Sequence, residues 1–270
     1  MLRTPPHRSA LRRRAGHFGD MVRHSVVTPR TGQTHLPKLV SPGELGITFI
    51  GHSSFFIQIG GQNVVIDPNF ARWLFVLKRL RQPGVRLRDL PPIDLVLVTH
   101  AHFDHLHRPS LRALVQQARR RGAKAPAIVV PHHVRDLVAD LGFREVIELN
   151  WWHTDHQDNL VITHVHAGDT AYFSGFREIG ERLKPEVALL PIGAYSPASF
   201  RNVHTSPADA TRAFLDLKAR WMIPMHYGTF RLSREPMEEP LQFLRAEARA
   251  AGIEDRLLVL EEGVTRSFSG

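Results

Sequence analysis

Three histidines and one aspartate crowd the octet Val98-Thr99-His100-Ala101-His102-Phe103-Asp104-His105. Imidazole and carboxylate are the ligands zinc takes when thiolate is absent, and the chain has no cysteine. Alternate residues past a strand end direct His100 and His102 at one point, while Asp104 and His105 reach a second point nearby. Two such points are the layout of a two-metal hydrolytic site. The octet follows Leu95–Val98, an apolar run that reads as a buried strand. H-x-H-x-D-H directly after such a strand is hard to obtain from composition alone, even in a chain with 17 histidines.

The elements that must position these side chains alternate between strand and helix from Glu44 onward. Ile47–Ile50, Ser54–Ile59 and Asn63–Ile66 are short β-branched or aromatic runs split by Gly51 and the Gly60-Gly61 turn, and they suggest a meander. Pro109–Arg121 reads as an amphipathic helix ended by Gly122, with proline in its first turn and a basic last turn. Ala127–Val130, Val146–Leu149, Leu160–Val165, Val187–Leu190, Trp221–Met225 and Leu257–Leu260 read as strands. His132–Leu141, closed by Gly142, and Pro240–Ala251 read as helices. Ser206-Pro207-Ala208-Asp209 opens a further helix that runs to about Ala219, with serine at the cap, proline at the first position and aspartate at the third. The pattern predicts one α/β domain with two sheets between helices.

Composition bounds the rest. Hydrophobic content of 43% and charged content of 23% are ordinary for a soluble globular protein. No run approaches the roughly 20 apolar residues that cross a bilayer, and a cytoplasmic protein is expected. The net charge of +9 is unevenly spread. Residues 1–40 hold eight bases against Asp20 alone, a surplus of seven that leaves residues 41–270 with a surplus of two. A nearly neutral body removes most support for a nucleic-acid partner, and none is expected. The domain division is therefore a basic leader, residues 1–43, disordered or draped over the surface, and a folded domain, residues 44–270. A transit peptide would share the leader's arginine-rich, acid-poor character, and a mis-assigned start codon would account for it equally well. A secretory signal would need an apolar core that is absent.

Several motifs in order carry a resemblance. They are Gly51-His52-Ser53-Ser54, Val65-Ile66-Asp67-Pro68, Thr99–His105, Ala167-Gly168-Asp169-Thr170, Leu190–Tyr195 and Met225-His226-Tyr227-Gly228-Thr229-Phe230. From Ile47 to Thr265 the chain resembles the metallo-β-lactamase-fold hydrolases. Within them it is similar to the branch holding N-acyl-phosphatidylethanolamine phospholipase D and ascorbate-phosphate lactonases. The resemblance implies an αββα sandwich with a two-metal site along one edge. It implies that His100 and His102 bind the first metal, that Asp104, His105 and His226 bind the second, and that Asp169 bridges them. Gly168 would let the strand end turn sharply and present that one carboxylate. It further implies one or two zinc ions per chain. A zinc pair about 3.5–4 Å apart turns a shared water into hydroxide near pH 7, and Asp104 orients that hydroxide. His204, just before the Ser206 helix, matches a position near the active-site mouth, where it donates to a developing oxyanion or stays solvent-exposed.

The chain departs from the family before His166. The third histidine of the first metal belongs in a Pro-Ala-x-His-Trp loop, and Leu160–Val165 instead runs straight into His166-Ala167-Gly168-Asp169. The loop and the hairpin after it are missing. His153, His156, His164 and His166 are the candidate replacements. Without one, the first metal has only His100, His102 and Asp169 from protein, with an uncovered core edge beside it and weakened activity as the expected result.

The expected function is a zinc-dependent hydrolase, a phosphodiesterase of phospholipase D type that uses metal-bound hydroxide on a small-molecule or lipid phosphodiester. A metal-dependent lactonase is the alternative enzyme. A metal-binding protein with impaired or lost catalysis is the alternative of a different class. Ala71–Arg81, amphipathic and basic, either makes weak contact with an anionic membrane surface or is a helix packing Trp73, Leu74 and Leu77 on the sandwich; packing is the favoured reading.

Overall fold

The computed structural model describes residues 19, 22–165 and 169–269. The body opens with an antiparallel meander, β1 (Glu44–Gly51), β2 (Ser54–Ile59) and β3 (Gln62–Ile66). Gly60 and Gly61, at φ 58° and 76°, form the two-residue turn between β2 and β3. Positive φ at both positions matches the turn to the strand twist and disfavours side chains there. A minimal hairpin follows, β4 (Trp73–Leu74) with β5 (Leu77–Lys78). The chain then adds β6 (Leu95–Leu97), helix α1 (Arg108–Arg120), β7 (Ala127–Pro131) and β8 (Glu145–Leu149). These three strands extend the meander in parallel, and the register aligns Ile66, Leu97 and Val129 in one row.

A second hairpin, β9 (Thr154–Gln157) and β10 (Leu160–Thr163), lies over this parallel half. Helix α2 (Gly175–Leu183), strand β11 (Val187–Pro191), helix α3 (Pro207–Leu217), strand β12 (Trp221–Met225) and helix α4 (Glu239–Ala250) complete the second half. β11 and β12 form a two-stranded parallel sheet. β13 (Thr265–Ser269) returns to the edge of the first sheet, whose order is β13-β1-β2-β3-β6-β7-β8.

Four layers result. α1 places Leu111 and Leu114 on the outer face of the seven-stranded sheet, against Val65, Val96, Ile128 and Val130. Between the sheets, Ile47, Phe49 and Phe55 meet Ile223 and Met225. Behind β11 and β12, the three later helices bury Phe176, Ile179, Phe214, Leu217 and Leu244. Fully burying each such side chain gains about 1.5–3 kcal/mol, which is what holds the layers together. This is the expected αββα sandwich with a thin second sheet: among the described residues, no strand lies between Thr163 and Val187.

Several segments differ from the pattern their sequence predicts. Ala71, Leu74 and Leu77 are buried at helical spacing, yet the segment is a hairpin, because Phe75 takes φ 52° and reverses the chain. The Arg79 side chain, fully buried, donates to the Ala71 and Asn69 carbonyls in place of helix amides. Residues 132–141 make two 3₁₀ turns rather than one helix: His133 sits at φ 65° and Glu148 accepts from the Val134 and Arg135 amides. Leu257–Leu260 forms only an isolated bridge to Met222, and β13 is the closing strand. α2 had no strong sequence signal. Within the leader, residues 22–27 are helical, and Thr31 and His35 make parallel bridges to Arg81 and Val85. Among the described residues no helix is long and apolar enough to cross a membrane.

Candidate metal centre

Strand ends deliver the polar side chains to one place. β3 ends in Asp67, β6 in Thr99 and His100, and β12 in His226, while the β1–β2 turn presents His52. His52 and His226 both take the left-handed conformation, at φ 61° and 60°, which turns their rings inward. The His226 amide donates to the His52 carbonyl at 2.9 Å, tying the two sheets together at the site. Beyond β11, Gly193 lets its own segment pack against His226: a Cβ there would stand 2.1 Å from the His226 carbonyl oxygen.

Two carboxylates form the centre, and both are buried. Asp104 Oδ2 lies 2.9 Å from His52 Nε2, 3.4 Å from His226 Nε2 and 3.7 Å from His105 Nε2. Asp169 Oδ2 lies 2.7 Å from His226 Nε2, 3.2 Å from His105 Nε2, 3.8 Å from His204 Nε2 and 3.9 Å from His100 Nε2. Its other oxygen is buried without a hydrogen-bond partner among the described residues. Burial pushes both acids toward protonation, but the surrounding imidazoles outweigh it and hold both well below the usual carboxylate range.

Asp67 explains the orientation of His105. Its buried carboxylate accepts from the Thr99 amide at 2.7 Å, the Thr99 hydroxyl at 2.6 Å and His105 Nδ1 at 2.6 Å. With its Nδ1 proton committed to Asp67, a neutral His105 turns the Nε2 lone pair toward Asp104 and Asp169. Lone pairs then face lone pairs, and either a proton on Nε2 or a metal ion between them relieves the repulsion. Burial lowers the affinity of His105 for a proton, yet Asp67 and Asp169 together lift its pKa well above the ordinary value. His226 is likewise pushed up to about 9, the Asp169 charge overcoming burial. The donor set of imidazoles and carboxylates, together with the orphaned Asp169 oxygen, therefore fits a divalent metal.

Ligand atoms fall into two groups able to hold such an ion: His52, Asp104, His105 and His226, and His100, His105 and Asp169. His102 joins neither. It is exposed, and its Nδ1 lies 2.9 Å from His100 Nε2. His153, His156 and His164 are also absent from both groups, and His166 and Gly168 lie outside the described residues. Burial first, then the neighbouring His226 for His52 and His105 for His100, lower both of these histidines to about 4, so they stand neutral and able to coordinate. His204 is partly exposed at the rim, with its ring stacked 5.9 Å from His226.

His52, Asp67 and Thr99 carry no role in the sequence pattern, although all three stand in its motifs. The available signal is positional: Asp67 and Thr99 each directly follow an apolar run, just as His226 follows Trp221–Met225. A further frame supports Asp104. Asn69 Nδ2 donates to the Asp104 carbonyl at 2.8 Å, and Arg79 Nη2 donates to the Asn69 carbonyl at 2.6 Å.

The fold is a sandwich of two sheets between helices whose strand ends gather histidines and carboxylates able to hold a metal. Residues 46–226 match the family described as the Beta-lactamase superfamily domain. The chain is 30% identical over 245 residues to an uncharacterised protein of Mycobacterium tuberculosis, covering 76% of this chain and 64% of that one. It is 29% identical over 285 residues to the mitochondrial N-acyl-phosphatidylethanolamine-hydrolyzing phospholipase D of Saccharomyces cerevisiae, covering 87% of this chain and 60% of the yeast protein. It thus spans less than two thirds of the length of either relative. A solved metallo hydrolase of Ignicoccus hospitalis superposes with a TM-score of 0.61 at 26% identity, over 83% of this chain and 98% of the other. The chain belongs to the β-lactamase superfamily.

Proposed function

We propose that this chain is a zinc-dependent phosphodiesterase of phospholipase D type. Asp104, His105, Asp169 and His226 hold the tighter metal, and His100 and His102 begin a second, weaker position. One observation carries the reading: His105, locked by Asp67, aims its second nitrogen at two buried carboxylates that His226 also faces. A bound zinc ion supplies Lewis acidity and a water that ionises near pH 7, the chemistry a phosphodiester requires.

The remaining steps fall to side chains. Asp104 orients the attacking water, its Oδ2 steadied by His52 at 2.9 Å. His204 sits at the mouth with its pKa held below the ordinary histidine value by burial and then by His226. It is therefore neutral at pH 7 and donates its one ring proton toward the oxygen on which charge develops. The preference for a phosphodiester rests on the yeast relative, whose name gives that chemistry. A lipid substrate is further supported by the hairpin tip: Trp73, Phe75 and Val76 are exposed beside Arg72, and Phe75 meets Phe103 of the metal loop at 5.1 Å. This apolar and basic edge suits weak contact with an anionic membrane surface through residues 71–81.

His102, standing outside both ligand groups, favours a second reading, a metal-binding protein with impaired catalysis. Turnover of bis-p-nitrophenyl phosphate by zinc-loaded protein, beside a simple lactone, separates these. Phosphate turnover supports the proposal. Lactone turnover alone makes the chain a lactonase, and zinc binding without either turnover leaves the impaired protein.

A further inference from the structure

The cavity of about 190 Å³ beside the metal centre has no part in holding a metal. Its floor is the register-aligned row Ile66, Leu97 and Val129, at the carboxyl ends of β3 and β6 and the middle of β7. Its wall is Ile162 to Val165, the end of β10 and the residues after it. Thr99 belongs both to the lining and to the site, since its hydroxyl donates to Asp67 and lies 3.0 Å from His100 Nδ1. Leu97 and Ile162 are only partly buried, and among the described residues no strand covers the apolar floor and wall. In open sheets, ligands gather at the carboxyl ends of parallel strands, and small-molecule sites are concave and mostly apolar.

We propose that this cavity is a substrate subsite for an alkyl or aryl substituent of about six to eight carbons, given that a cavity of about 150 Å³ accommodates benzene. The inference rests on the phosphodiesterase reading and deepens it. A substrate whose phosphate lies at His100, His105 and Asp169 has this cavity one residue away, past Thr99. The opening created by the missing ribbon is then a specificity element, favouring phosphodiesters with one compact apolar arm over those with polar arms.

The test is a series of p-nitrophenyl alkyl phosphates from methyl to nonyl, turned over by the zinc-loaded full chain. Expected is a rise in kcat/KM of about fourfold per methylene, levelling near six carbons, with the slope flattened in Ile162→Trp. In parallel, hexylphosphonate should shift the methyl resonances of Ile66, Leu97, Val129 and Ile162 in native protein, with or without zinc. If the methyl ester is cleaved but the profile is flat, the subsite is overturned. If no phosphodiester is cleaved yet those methyls shift, the apolar site stands and the reaction assignment is what fails. If neither occurs, both fall.

Discussion

Replacing Asp67 by Asn removes a charge that touches no substrate and tests how the centre is oriented. The native carboxylate accepts three hydrogen bonds and is 1% exposed, so no water can substitute for it. An amide keeps the shape but carries a donor on one arm. With its nitrogen toward His105, donor meets donor, and His105 must move its proton to Nε2, the atom that faces the metal. Flipped, the amide nitrogen meets the Thr99 amide instead, and the loop ahead of His100 loses its anchor. Either orientation sacrifices one charge-assisted bond. Losing a partner of a metal-ligating histidine weakens metal binding by about 10–100-fold, which is about 1.4–2.7 kcal/mol. Competition with a chromophoric chelator measures this directly, with circular dichroism verifying the fold. Zinc affinity of Asp67→Asn within twofold of native would refute the orienting role.

Arg79→Ala should lower stability by about 2–5 kcal/mol in urea, because it leaves the Ala71 and Asn69 carbonyls unpaired and opens a void under Phe230; an unchanged midpoint would contradict this. Ser206→Ala removes the acceptor for the Asp209 amide at the start of α3 and should cost about 1 kcal/mol without altering metal affinity. Protein stripped by chelator should be most stable near pH 6.5. The contribution of His226, raised to about 9, is complete below its ordinary 6.5 and is lost as pH climbs through 9. Below 6.5 the unfolded chain takes up protons that His52 and His100, held to about 4, refuse, so stability also falls toward pH 4. Thermal midpoints from pH 4 to 10 check both limbs, and zinc should abolish the alkaline loss by taking the place of the His226 proton.

The architecture was legible where period and punctuation agreed. Gly60-Gly61 announced its turn, Ser206-Pro207 its helix, and Leu95–Val98 its buried strand. Residues 71–81 fit a helix because four buried apolar positions, Ala71, Leu74, Leu77 and Leu80, stand at spacing three; the reversal at Phe75 and the buried Arg79 behind it, which make the hairpin, leave no mark in that spacing. α2 was not legible: its apolar contacts, Phe176 and Ile179, gain meaning only against α3 and the second sheet. In the site, the local spacing of His100, Asp104 and His105 was readable, and Asp169 and His226 came with the family likeness. The grouping was not readable. His52 reaches Asp104 across 52 positions and Asp67 reaches His105 across 38, contacts that the sheet registers alone create. His102, one residue from the centre of the motif, turns outward to His100 instead.

Zinc-dependent turnover of bis-p-nitrophenyl phosphate, measured in one series on native protein, chelated protein, zinc-restored protein and Asp169→Asn, tests the metal centre most directly. Asp169 Oδ2 faces four of the imidazoles, and its second oxygen has no hydrogen-bond partner among the described residues. The predicted result is loss of activity on chelation, recovery with zinc, and a loss of at least about a hundredfold in the folded variant even at saturating zinc. Activity that survives chelation, or an Asp169→Asn protein that turns over like the native one, would contradict a metal centre built on this carboxylate.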